Sequence, residues 1–375
     1  MKQFVWFFFW WVVIGLSSVS AQESLKIKFR SRALLDAMVS GYGKEDVQGY
    51  YRLEDFRVGF KAVYGHWEAK ADIGLGGGKV AIKDLLLNYH FKNSVLSLGN
   101  AYEPFSLDML ISTADLRFHQ SAASVLAFSD SRKLGVTYHF YTDSWYAATG
   151  IYTHNDINKI GEGQKNAFVS TSRAVWRKQR EGHRLIHVGG VFSFRTKQVN
   201  TEEPPMGTVD SEGITSMFSA SLLEAEIPNM GTEVKGAIEA LYTAPRWMVQ
   251  AEYYFDRLNR TDSKKAYRPH GGYIQGGFLL KGSGFAYDAM YGIPSRPATP
   301  QAIELVARLN YTDMNDNRAG IYGGEETDLS LGVNWYLNQY FGVKLNGSYV
   351  WVGEHCNAFY KKDFFLAQLR LQYIF

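Results

Sequence analysis

Four cations occupy every second position of one short segment: Lys26, Lys28, Arg30 and Arg32. In an extended chain residues rise about 3.4 Å each and point alternately to two faces, so these side chains climb one face about 7 Å apart. Such a ladder repels itself unless anions or carboxylates lie close by. Two chemistries fit. The ladder can guide small anions along a wall, or it can pair with acids on neighbouring strands such as Glu68 and Asp72. Other segments with the same alternation add Arg57, Lys61, Lys70, Lys133, Arg173, Arg177, Arg195, Lys235, Arg308, Lys344 and Arg370 to that face. The acids that alternation puts there are fewer: Glu68, Asp72, Asp84, Glu239, Glu252, Glu304 and Asp328. A guanidinium offers carboxylate or phosphate two parallel hydrogen bonds. The pattern therefore points to an anion path rather than to a bond-making site. Arg117 and His119 lie in an apolar, aromatic stretch between such segments, where they can stand at a constriction or tie the stretch to a wall.

The catalytic and metal motifs fail on inspection. Gly74-Leu75-Gly76-Gly77-Gly78-Lys79 looks like a phosphate loop, but its spacing is wrong and no Ser or Thr follows the lysine. It reads as a hairpin tip. His183 and His187 are four apart, yet their stretch reads as strand and lacks the Glu of a zinc-protease helix. No Gly-x-Ser-x-Gly elbow occurs. Asn259-Arg260-Thr261 is a short sequon that recurs by chance. The lone Cys356 excludes an internal disulfide framework and reads as a loop thiol. No enzyme, metal or cofactor is expected. Lys+Arg 40 against Asp+Glu 37 gives no case for nucleic-acid binding.

The elements that carry the cations are strands. Read back from Phe375, alternate residues are Tyr373, Leu371, Leu369, Ala367 and Phe365, interleaved with Ile374, Gln372, Arg370, Gln368 and Leu366. Leu25, Ile27 and Phe29 alternate with the cation ladder; Phe56, Val58 and Phe60 alternate with Arg57 and Lys61. Trp67–Ile73, Leu85–Phe91, Trp247–Phe255 and Phe341–Trp351 repeat the pattern, with aromatics at strand ends. Aromatics make up 15% of the chain while overall hydropathy is ordinary, as suits a wall apolar on one side and polar on the other. In hydrocarbon every peptide group must be paired, so strands cross only as a closed barrel. The expected fold is all-β: a transmembrane antiparallel β-barrel with inward-folded constriction loops.

Parity fixes the count. Seventeen strand candidates give clashing turn assignments unless the weakest, Ile214–Glu226, joins a long outer loop from Thr196 to Met230; sixteen strands remain, an even number. Ala101–Asp130 on the outer side and Gly282–Pro300 on the periplasmic side are too long for passive turns and are expected to fold inward. At the N-terminus, Lys2, the apolar run Phe4–Leu16 and the small residues to Ala21 have the order of a secretory signal peptide, residues 1–21, with the barrel over 22–375. The destination is the Gram-negative outer membrane, with its lipid and lipopolysaccharide as surroundings. An outer-membrane enzyme, or an adhesion barrel with a blocked lumen, are competing readings, but no spacing nominates a Ser/His/acid set on the outer rim.

The chain resembles the phosphate-selective porin O and P family, in a form like that of Bacteroidetes. The resemblance rests on Gly99-Asn100-Ala101-Tyr102-Glu103-Pro104-Phe105-Ser106-Leu107-Asp108, Ser131–Val136, Glu239, Gln250-Ala251-Glu252-Tyr253-Tyr254, Glu304–Arg308 and Leu331-Gly332-Val333-Asn334-Trp335-Tyr336-Leu337-Asn338. It implies a sixteen-stranded, passively conducting homotrimer for small anionic solutes, narrowed by the third and fifth outer loops and one long periplasmic turn. A final Phe375 with Tyr373 resembles the terminal strand that outer-membrane assembly machinery recognises. After Leu279-Leu280 the stretch Lys281–Tyr287 departs from the family's Thr-Gly-Glu-x-Arg-x-Tyr. A general, non-selective porin is the alternative.

Overall fold

The computed structural model describes residues 24–42, 45–76, 79–159, 168–182, 184–196, 206–360 and 362–375. Residues 1–21, expected to be a signal peptide, and His183 lie outside the described residues. Sixteen antiparallel strands close into one barrel. They are β1 (Lys26–Tyr42), β2 (Glu45–Tyr64), β3 (Trp67–Gly76), β4 (Lys79–His90), β5 (Ser94–Ala101), β6 (Lys133–Tyr141), β7 (Trp145–Thr153) and β8 (Phe168–Arg180). Then come β9 (Arg184–Arg195), β12 (Met230–Thr243), β13 (Trp247–Arg260), β14 (His270–Lys281), β17 (Ala302–Asp316), β18 (Ile321–Tyr336), β19 (Phe341–Val352) and β20 (Phe364–Ile374). β1 pairs with both β2 and β20, and the seam ends where Ser31 and Phe375 exchange backbone hydrogen bonds of 2.9 and 2.8 Å.

The alternation read from the sequence sets the faces. Leu35 and Val39 of β1, Trp247 and Tyr253 of β13, and Leu345 and Trp351 of β19 all point outward and are exposed. Between them Asp36, Gln250, Glu252, Lys344 and Asn346 are buried in the lumen. In water such an apolar exterior would aggregate; in a bilayer it is the matched face. Aromatics gather at its rims. Trp67 with Tyr89 (4.8 Å between centroids), Trp247 with Phe278 (4.4 Å) and Phe341 with Tyr373 (5.1 Å) mark the turn end; Tyr349 with Trp351 (5.0 Å) marks the loop end. No barrel strand contains proline, which has no N–H for the ladder.

The three long connections behave as one unit. Within the loop after β5 are two short helices, α1 (Leu107–Leu110) and α2 (Ala123–Phe128). The outer loop from Thr196 to Met230 carries a separate hairpin, β10 (Met206–Ser211) with β11 (Leu223–Pro228), so Ile214–Glu226 is no barrel strand. The turn-end segment after β14 carries another, β15 (Phe285–Asp288) with β16 (Ile293–Pro297). The outer hairpin packs Val209, Leu223 and Ile227 onto Met38, Val350 and Leu366 of the lumen wall. It also rests on the α-loop, where Ser211 bonds the Ala123 carbonyl (2.9 Å) and Gln120 bonds that of Gly213 (2.8 Å).

Candidate functional site

The α-loop is held against one wall by side chains aimed at its backbone. Lys344 Nζ donates to the carbonyls of Ala114 (3.1 Å) and Leu116. Arg308 donates to that of Gln120 (3.0 Å), Lys235 to that of Phe128 (3.0 Å) and Arg370 to that of Thr113 (3.4 Å). Arg370 is also forked onto Asp36 at 2.7 and 2.6 Å. Asn334 Nδ2 adds a bond to the Arg117 carbonyl at 2.9 Å. At the other end Glu252 accepts the Leu107 and Asp108 N–H groups at 2.7 and 2.9 Å, which satisfies the otherwise orphaned donors that open α1. Phe105, Val125 and Phe128 pack on Tyr254, Tyr273, Val191 and Ala237 beneath. The turn-end hairpin is gripped in the same way. Arg173 reaches the carbonyls of Tyr291 (3.1 Å) and Gly292 (2.8 Å), and Arg177 reaches that of Ala289 (2.7 Å).

Acids complete the anchors. Arg117 Nε meets Glu304 at 3.0 Å, both buried, with the Tyr336 hydroxyl donating to the same carboxylate at 3.1 Å. Gly277 makes room, since a Cβ there would lie 2.1 Å from Glu304 Oε1. Glu239 receives Arg173 (2.9 Å) and His187 (2.8 Å). Asp130 gathers Lys133 (2.6 Å), Lys235 (3.1 Å) and Arg195. Burial alone would raise the Asp130 pKa, but Arg195, Lys133 and Lys235 outweigh it and hold the carboxyl well below its usual range. Burial first, then Arg370 and Lys344, push the His119 pKa well below the ordinary histidine value.

The opposite wall stays open. Two adjoining cavities of about 440 and 420 Å³ run between β1–β7 and the inward segments, sharing Arg30, Lys70, Asp84, Tyr102, Leu110, Asp288 and Ile293. Their barrel side is a lattice of ion pairs. Lys28 stands opposite Lys61 and Arg32 opposite Arg57, an arrangement that repels without acids nearby. Arg30 is forked onto Asp72 at 3.1 and 2.5 Å, and Gly59 permits this because a Cβ would lie 2.0 Å from Asp72 Oδ1. Asp55 takes Arg32 Nε (2.6 Å) and Arg57 (3.1 Å); Glu68 takes Lys61 (2.6 Å); Asp84 takes Lys70 and Arg132 (both 2.6 Å). In the pairs carried by β1–β4 the cation is the more exposed partner wherever the two differ much, unlike Asp130, which is more exposed than Lys133. Arg30 is 38% exposed against 4% for Asp72, Lys61 41% against 10% for Glu68, and Lys70 24% against 13% for Asp84. Arg32 also reaches across to Ser112 of the α-loop at 2.8 Å. Two carboxylates of the inward segments also line the cavity: the exposed Asp288, and Asp115, which is paired with Arg296 at 3.4 Å and accepts from Ser295 at 3.0 Å.

The residues singled out in the sequence thus fall into three groups. Arg30, Arg32, Arg57 and Lys61 line the open cavities. Lys26 and Lys28 are exposed on the part of β1 that extends past Phe375, at the turn-end mouth. Lys133, Arg173, Arg308, Arg370, Arg117 and His119 are buried between the wall and the inward segments, where peptide carbonyls, carboxylates and aromatic rings surround them in place of water. Sequence reasoning missed Asp36 and Asp55, although they share a face with Arg32 and Arg57. It missed Lys83 because a bulge opposite Asp72 turns both Lys83 and Asp84 inward. Glu103 and Asp130 lie where no periodicity points. Among the described residues no three His, Cys, Asp or Glu side chains form a metal cluster.

A model of the family described as phosphate-selective porin O and P matches residues 56–375. An uncharacterized protein of Caulobacter vibrioides is 25% identical over 293 residues, covering 73% of this chain but only 57% of that relative's length. Among solved structures, the trimer form of the Vibrio cholerae outer membrane protein OmpT superposes with a TM-score of 0.60 at 13% identity, over 94% of this chain and 100% of that one. OprB of Pseudomonas putida gives 0.60 at 10% identity, over 93% and 94%. The outer membrane channel DcaP of Acinetobacter baumannii gives 0.56 at 10% identity, over 95% and 100%. The family model spans most of a closed barrel with an apolar belt and a partly filled lumen, and the chain belongs to the phosphate-selective porin O and P family.

Proposed function

We propose that the barrel is an outer-membrane channel for solute diffusion, that it favours small anions, phosphate-like solutes among them, and that they pass along the β1–β6 wall. The observation that carries this is the layering of the ion pairs, with ammonium and guanidinium groups toward water and carboxylates beneath them. A passing ion then meets the positive member first, and the low-dielectric wall focuses that field. Arg30, Arg32, Arg57 and Lys61 are the guiding residues, with Lys26 and Lys28 drawing anions at the turn-end mouth. The mature chain starts at Gln22 after cleavage of residues 1–21. It assembles as a homotrimer, a reading supported by the trimer form of the Vibrio cholerae neighbour, through machinery that reads Phe375.

The test is the reversal potential of the channel in a planar bilayer under a potassium chloride gradient, with phosphate added as a blocker. An anion-selective potential and a current reduced by phosphate support the reading. Asp115 and Asp288, across the cavity from the arginines, favour a second reading as a general porin. A neutral or cation-selective potential decides for it.

A further inference from the structure

The open passage has two unlike sides. One is the cation layer on β1–β4. The other carries an apolar strip among polar groups: Leu110 of α1 and Ile293 of β16 line both cavities, and Met109 and Pro294 extend the strip in one of them, beside Ser112, Asp115 and Asp288. These segments hang from opposite ends of the barrel and meet where Ser295 and Arg296 bond Asp115 at 3.0 and 3.4 Å, and both put aliphatic side chains on the same cavity. Met109, Leu110 and Ile293 are only half-buried, so they meet water in the empty channel. Exposed aliphatic groups gain nothing from a hydrated inorganic ion. They gain from a solute that brings apolar surface to cover them. Between the two sides Tyr102 lines both cavities, with the Arg132 guanidinium over its ring at 4.3 Å and bonded to its hydroxyl at 3.1 Å. It offers a flat apolar face beside a fixed positive charge.

We infer that this passage binds amphipathic organic anions, a carboxylate joined to a short alkyl or aryl body, in preference to inorganic anions and to acetate. The carboxylate meets the Arg30 and Arg57 guanidiniums, and the body lies along Leu110, Met109 and Ile293. The inference rests on the anion reading above and adds the solute class. Its test is block of the chloride current in planar bilayers by acetate, hexanoate, benzoate and phosphate. Hexanoate and benzoate are expected to act at concentrations about tenfold lower than acetate, the effect of burying two methylene groups. In Leu110→Asn and Ile293→Thr, each checked for a heat-shifted folded band, the hexanoate advantage should fall to about twofold or less on the same reasoning. Equal block by acetate and hexanoate overturns the inference, as does a hexanoate advantage that both variants keep. The chloride-gradient potential is read on the same channels. If it is anion-selective while acetate and hexanoate block alike, the solute class alone fails; if it is cation-selective, the anion reading falls and this inference falls with it.

Discussion

At the scale of single residues, the lumen cations divide by what they touch. Arg30 faces water over a buried Asp72, so the two can be separated experimentally. Arg30→Gln removes the outer charge and leaves the carboxylate; Asp72→Asn does the reverse. Reversal potentials should therefore move in opposite directions, toward cations for Arg30→Gln and toward anions for Asp72→Asn. The expected shift is about two- to fivefold in permeability ratio, as for one unit charge a few ångströms from a passing ion in screened water. Arg117 and Glu304 are a different case, since neither meets solvent. Arg117→Met leaves an uncompensated buried carboxylate and should cost about 3–5 kcal/mol, read as a lower urea midpoint. Arg117→Met with Glu304→Met should recover much of that loss, because two matched apolar groups avoid the lone charge.

At the scale of elements, the α-loop is tied down at Asp130 by Lys133, Lys235 and Arg195. The folded-state pKa of Asp130 is depressed, so its contribution is present above the unfolded carboxyl value of about 3.9 and is lost as pH falls through the folded value. Acidification from about pH 4 downward should weaken this anchor progressively and release the loop only well below pH 4, and Asp130→Asn should reproduce that loosening at neutral pH. Excess noise in open-channel current is the readout; a quiet Asp130→Asn channel would show that the anchor lies elsewhere. The strands themselves were legible because one buried face and one lipid face impose period two, and that period survives in Trp247–Phe255 as in Phe341–Trp351. The loop anchors were not legible. Lys344, Arg308, Lys235 and Arg370 bond to peptide carbonyls, and a main-chain acceptor leaves no trace in residue type. Arg117 and His119 stood out in the sequence, but the direction in which a loop residue points is set by packing across the barrel rather than by its neighbours in the chain.

At the scale of the molecule, Phe375 extends the seam that closes the barrel by one more paired position. Phe375 exchanges two backbone bonds with Ser31 and stacks its ring 6.3 Å from that of Tyr340 at the turn-end rim. Deleting Phe375 should lower the fraction of chain that shows a heat-shifted folded band after refolding into detergent, and a wild-type fraction would mean that the rest of the β1–β20 seam suffices. The carbonyl grips have a broader consequence. Every amino acid carries a peptide carbonyl, so these grips hold the α-loop whatever its side chains are, beside the side-chain anchors at Arg117, Phe128 and Asp130. A residue on the loop's water-facing edge that makes none of the anchoring contacts, such as Leu110, is thereby free to vary without dislodging it. The scaffold acts as a socket for interchangeable inserts, and a lineage can retune what it lets through by rewriting a few loop positions while the barrel stays as it is.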